Sequence, residues 1–89
     1  MDKYLEIKKA FEASQDKESA IAMSKYMKNM FEFYGLPTPK RKKVYKDFLN
    51  AEKKTKKIDW IFLNQCYEDD HREFQYLVSD YLLETRYNF

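Results

Sequence analysis

Glycine and proline are nearly missing from this chain, with one glycine and two prolines in 89 residues. Only nine residues are β-branched, so a sheet protein is disfavoured: strands draw on Val, Ile and Thr, and their turns draw on glycine. Cysteine is just as scarce. Cys66 stands alone, which rules out an intrachain disulfide, and among apolar neighbours it reads as an inert core side chain. No apolar run exceeds the four residues of Trp60-Ile61-Phe62-Leu63, far short of the roughly 20 residues a membrane helix needs. The opening MDKYLEIKK lacks the apolar stretch and small-residue cleavage site of a signal peptide, so the cytoplasm is the expected compartment. His71 is the single histidine. With no second imidazole and Cys66 poorly placed, the acidic stretch EDDHRE (68–73) is read as helix capping by Asp70 and Glu73, not as a metal site. No serine is positioned beside His71 for nucleophilic catalysis.

What the chain does have is aromatic bulk and unevenly distributed charge. Sixteen Phe, Tyr and Trp residues supply large apolar area per side chain, which a domain this small requires. The net charge of +2 hides three blocks. Residues 1–39 balance six bases against six acids; residues 40–57 carry nine bases against two acids; residues 58–84 carry seven acids against Arg72. A block at +7 inside a near-neutral chain sets up a strong local field.

Apolar spacing at three and four residues predicts five helices. The first covers 2–13, with Tyr4, Ile7, Ala10 and Phe11 along one side. The second starts at the N-cap Asp16 and carries Ala20, Met23, Met27, Met30, Phe31 and Tyr34, closing at a left-handed Gly35. Thr38-Pro39 reads as the next start, with the threonine as cap and the proline in the first turn; this helix runs to about residue 53 and buries Val44, Tyr45, Phe48 and Leu49. Asp59 caps a short helix holding Trp60, Leu63 and Tyr67, with Phe62 and Cys66 alongside. An Asp70/Glu73 capping box starts the last, which carries Phe74, Leu77, Val78, Tyr81 and Leu82. The fold class is therefore all-α: about five helices in antiparallel pairs on tight connections, the unit of an α-solenoid.

The corner from Thr38 to Lys43 is the strongest binding candidate. A helix N-terminus presents unpaired N–H groups and the positive end of the dipole, both suited to a phosphate. Thr38 can donate its hydroxyl to a phosphate oxygen, Arg41 can pair with it in a forked geometry, and Lys42 and Lys43 add charge. Cations at this end oppose the dipole, an unfavourable placement that an anionic partner would offset.

Two segments resemble the DNA alkylation repair family of HEAT-like repeat proteins, the AlkD type of DNA glycosylase. MSKYMKNMFEFYGLPTPKRKK (23–43) is similar to the family's Tyr-Met-Lys-Asn, Gly-Ile/Leu and Thr-Pro-x-Arg block. HREFQYLVSDYL (71–82) is similar to its Arg-Glu-Phe-Gln helix with the following aspartate. The resemblance covers nearly the whole chain. It implies a curved stack of helical repeats that embraces double-stranded DNA and hydrolyses the N-glycosidic bond of cationic alkylated purines, 3-methyladenine and 7-methylguanine, without metal or cofactor. It also places Tyr26 on the DNA-facing side near the lesion; Tyr26 and Lys28 are read on the preceding helix, about one or two turns from the basic corner. The family is more than twice this length, and its catalytic aspartate, tryptophans and arginines have no counterpart here. No catalytic residue is therefore assigned, and Trp60 and Asp80 are not promoted to that role. Residues 1–89 are read as one N-terminal HEAT-like segment, binding DNA through Tyr26, Lys28, Thr38, Arg41, Lys42 and Lys43 but inactive alone as a glycosylase. The alternatives are a helical-repeat module that binds protein, and a truncated remnant that forms a homodimer through Leu77, Tyr81 and Leu82 of an uncapped last helix.

Overall fold

The computed structural model describes residues 2–85. Five α-helices follow in chain order: α1 (Lys3–Ser14), α2 (Lys17–Tyr26), α3 (Thr38–Thr55), α4 (Trp60–Glu68) and α5 (Arg72–Thr85). No strand is formed among the described residues, and the chain is all-α. Aspartates start three of the helices. Asp2 accepts from the amides of Tyr4 and Leu5, Asp16 from Ser19, and Asp59 from Phe62, each satisfying a first-turn donor that the helix itself cannot.

Four helices enclose the core. α1 and α5 each pack against both α3 and α4, which closes a ring of contacts, while α2 makes no comparable contact with another helix. Phe11 sits at the centre, fully buried, with ring centroids 5.1 Å from Phe74, 5.4 Å from Tyr34 and 6.1 Å from Tyr45. Truncating a ring so placed costs about 3–5 kcal/mol. α4 turns Phe62, Leu63 and Cys66 inward. Trp60 and Tyr67, expected on that face, are 59% and 69% exposed: position 62, not 60 or 67, shares the arc with 63 and 66.

The second helix is the main departure from expectation. It stops at Tyr26, because Lys28 and Asn29 both adopt left-handed backbone angles (φ 57° each). Residues 27–37 then cross the N-terminal end of α5 in a largely extended path instead of forming a tight helix-closing turn. The path is fixed by bonds distant in sequence. Arg72 N–H donates to the Glu32 carbonyl (2.8 Å), and the fully buried Glu73 carboxylate accepts from the amides of Tyr34 (3.0 Å), Gly35 (3.1 Å) and Leu36 (3.2 Å). Glu73 therefore does not form a capping box with Asp70: its carboxylate is committed to another segment. Gly35 has φ +88° and lies against the start of α2, where an added Cβ would overlap the Asp16 carbonyl oxygen and stand 2.7 Å from the Ala20 nitrogen. Its role is close approach to α2, not closure of a helix.

Two further expectations change. Pro37 occupies the N-cap of α3 and Thr38 is already helical, so the threonine caps nothing. Leu77 and Tyr81, assigned to a dimer face, are 0% exposed and consumed by the chain's own core.

Candidate nucleic-acid interface

α3 begins without a side-chain cap and with no acid in its first turn. Its early residues are Thr38, Pro39, Lys40, Arg41, Lys42 and Lys43, and all but Arg41 are exposed. The first-turn amides of Thr38 and Lys40 thus point out of an end that already carries positive dipole and three exposed lysines. Lys42 and Lys43 also line a shallow hollow of about 570 Å³ between α3 and α5, with Lys46 and Asn50 on one side and Asp80, Leu83 and Glu84 on the other.

Arg41 is placed differently from the forked phosphate ligand expected of it. It is 7% exposed and turned into the fold. Its Nε donates to the Tyr45 hydroxyl (3.0 Å), its Nη2 lies 3.7 Å from the Asp80 carboxylate, and its guanidinium lies over the Tyr76 ring at 4.6 Å. The Tyr45 hydroxyl in turn donates to Asp80. Burial, then the Asp80 carboxylate, raises the Tyr45 pKa, so the phenol stays protonated and continues to donate. A buried cation is tolerated here because a carboxylate, a hydroxyl and an aromatic face all receive it. The effect is to pin the first turns of α3 onto α5 with Lys42 and Lys43 facing outward.

Tyr26 and Lys28 do not join this corner. The Asp16 amide donates to the Tyr34 carbonyl (2.9 Å), so the connection into α3 meets α2 at its start. Tyr26 lies at the opposite end of α2, about 15 Å further along at 1.5 Å per residue. It is 86% exposed, and Lys28 is exposed in the left-handed turn beyond it. The structure therefore brings Thr38, Lys42 and Lys43 together, puts Arg41 beneath them, and sets Tyr26 and Lys28 apart.

The acidic stretch before α5 is tied into the fold through Asp69. Asp69 accepts from the His71 amide (2.8 Å), contacts His71 Nδ1 (2.9 Å) and accepts from the Tyr4 hydroxyl. Burial pushes its carboxyl up, but these bonds outweigh burial and hold it below the usual carboxylate range. The His71 ring stacks on Tyr34 at 3.9 Å. Among the described residues no group of three or more His, Cys, Asp or Glu side chains is arranged to hold a metal ion. Cys66 is 0% exposed, and burial pushes its thiol up to about 12, far from a reactive thiolate. No helix among the described residues is long and apolar enough to cross a membrane.

Sequence reasoning missed the partners of Arg41. The signal was there as spacing: Arg72, Tyr76 and Asp80 recur every four residues and share one stripe of α5. A protein-family model described as DNA alkylation repair enzyme matches residues 7–89. No curated protein and no solved structure matches the chain.

Proposed function

The chain belongs to the DNA alkylation repair enzyme family, and from that premise we propose that the first turn of α3 grips backbone phosphates of duplex DNA. The observation that carries this reading is an uncapped helix start whose only exposed charges are Lys40, Lys42 and Lys43. Its free amides and lysine ammonium groups suit a phosphate oxyanion and carry no base selectivity. Thr38 adds a hydroxyl. Arg41 acts from beneath, holding the turn in place, while Tyr26 and Lys28 form a separate contact at the far end of α2.

The parent reaction in this reading is excision of cationic alkylated purines, 3-methyladenine and 7-methylguanine. Residues 1–89 supply one wall of the DNA cleft as an N-terminal HEAT-like segment, and the hydrolytic groups lie on repeats outside it. Asp80, which lines the hollow beside Lys42 and Lys43, is bonded to Tyr45 and Arg41 and is read as an anchor for Arg41. Binding, not cleavage, is this segment's share.

The test is a titration of the chain against a fluorescent duplex over a salt series, beside the Lys42→Gln/Lys43→Gln variant. Three to five phosphate contacts give a log–log slope of about −3 to −5, and removing two cations makes it shallower by about 2. Equal slopes for the two proteins, or a flat slope for the native one, would sink the reading. Negligible DNA binding would favour a protein-binding module instead, for which the exposed Trp60, Ile61 and Tyr67 on α4 are the natural anchors.

A further inference from the structure

Arg72 is the one base in the acidic block 58–84, and its side chain makes no hydrogen bond or ion pair among the described residues. Aromatic faces hold it instead. Its guanidinium lies over Phe31 at 4.4 Å and over Tyr76 at 5.3 Å, and Tyr76 also receives Arg41 at 4.6 Å. Two guanidinium groups thus share one ring, and of the two only Arg41 has a carboxylate partner, Asp80, among the described residues.

The acids nearest Arg72 in sequence are committed elsewhere. Glu73 faces the amides of residues 34–36, and Asp69 is bonded to Tyr4 and His71. Glu32 and Asp70 line a small hollow that Phe31 also lines, and neither makes an ion pair with Arg72 among the described residues. The Nε of Arg72 is buried with no acceptor among the described residues, while the residue as a whole is only half-buried. A half-buried guanidinium stiffened by two rings, with no carboxylate partner among the described residues, is preorganised for an oxyanion.

Its position extends the basic turn. Arg72 precedes Glu73, whose carboxylate holds Leu36 at 3.2 Å, and α3 starts two residues later at Thr38. Asp80 meets Arg41 in the first turns of α3, and Arg72 lies eight residues earlier on the same stripe of α5, linked to Arg41 through the shared Tyr76 ring. We propose that Arg72, held between Phe31 and Tyr76, is a second phosphodiester-binding point that continues the α3 grip across Tyr76 onto α5. This rests on the DNA-binding reading above and deepens it.

The experiment is the same salt series with Arg72→Gln and Arg72→Lys. One lost phosphate contact makes the slope shallower by about 0.9 in Arg72→Gln, whereas Arg72→Lys keeps the charge and the slope. An unchanged slope in Arg72→Gln, beside a steep native slope, overturns this proposal and leaves the α3 grip standing. A flat native slope overturns both. Should Arg72→Gln fail to fold, the native chain provides the second measurement. It has three arginines, so its Nε–H spectrum holds three signals, and that of Arg72 is the one lost in Arg72→Lys. The signal should shift on adding duplex, and a signal that stays in place at saturation refutes the contact.

Discussion

Glu73 is the side chain on which the path of residues 27–37 depends, and Glu73→Gln tests that directly. The carboxylate has both oxygens engaged by three backbone amides at 3.0–3.2 Å in a fully buried setting. An amide keeps one acceptor oxygen and puts an NH₂ donor against N–H donors. At least one buried amide then loses its acceptor, at about 1–3 kcal/mol, and the surviving bonds lose their charge assistance, at about 1 kcal/mol more. The expected loss is about 2–4 kcal/mol. A domain of this length has roughly 5–13 kcal/mol in all at 0.05–0.15 kcal/mol per residue, so the change takes a large share. Urea unfolding followed by circular dichroism is the assay. With a slope of about 1–2 kcal/mol/M, the midpoint should fall by about 1–4 M. Amide exchange should localise the effect, with Tyr34, Gly35 and Leu36 losing protection beyond the global change. A midpoint within about 0.3 M of native, or protection at 34–36 unaltered, would refute the assignment of this contact as the clasp between the connection and α5.

Two further outcomes are expected. Gly35→Ala combines a φ of +88° with overlap against the Asp16 carbonyl and should cost at least about 2–3 kcal/mol by the same urea assay; a loss under about 1 kcal/mol would mean that the start of α2 yields easily. Lys3 bridges Glu52 and Asp59 at 2.8 Å each and holds the Asp59 carboxyl below the usual carboxylate range. A carboxyl with a lowered folded pKa stabilises fully above its unfolded value of about 3.9, and that share is lost as pH falls through the folded value. Burial disfavours the Lys3 charge, but its two carboxylate partners outweigh burial and raise its pKa, so its share persists below about pH 10.4 and is lost as pH rises through the folded value. Lys3→Gln should therefore cost about 1 kcal/mol at neutral pH and flatten the stability profile between about pH 5 and 3; an unchanged acid limb would count against the bridge.

What the sequence determined on its own was local. Asp16 and Asp59 cap because each carboxylate reaches an amide three residues away, and the repeats within α3 and α5 bury Tyr45, Leu49, Phe74, Leu77 and Tyr81 because their spacing matches one helical face. The charge blocks and the exposed Lys42 and Lys43 were legible for the same reason: composition and position along one helix suffice. The family could be read from two quoted segments, since motif order along the chain needs no fold. The end of α2 could not be read that way. Met27, Met30, Phe31 and Tyr34 keep a helical period, and nothing local opposes it strongly. The deciding bonds run to Arg72 and to Glu73, 37–40 residues away. Arg41 carries the same lesson. Among lysines it looks like one more surface cation, and only the docking of α3 on α5 gives it Tyr45, Tyr76 and Asp80 to enter. A pattern along one chain fixes which face a helix will bury; which charge can afford to be buried depends on what the other helix brings to meet it.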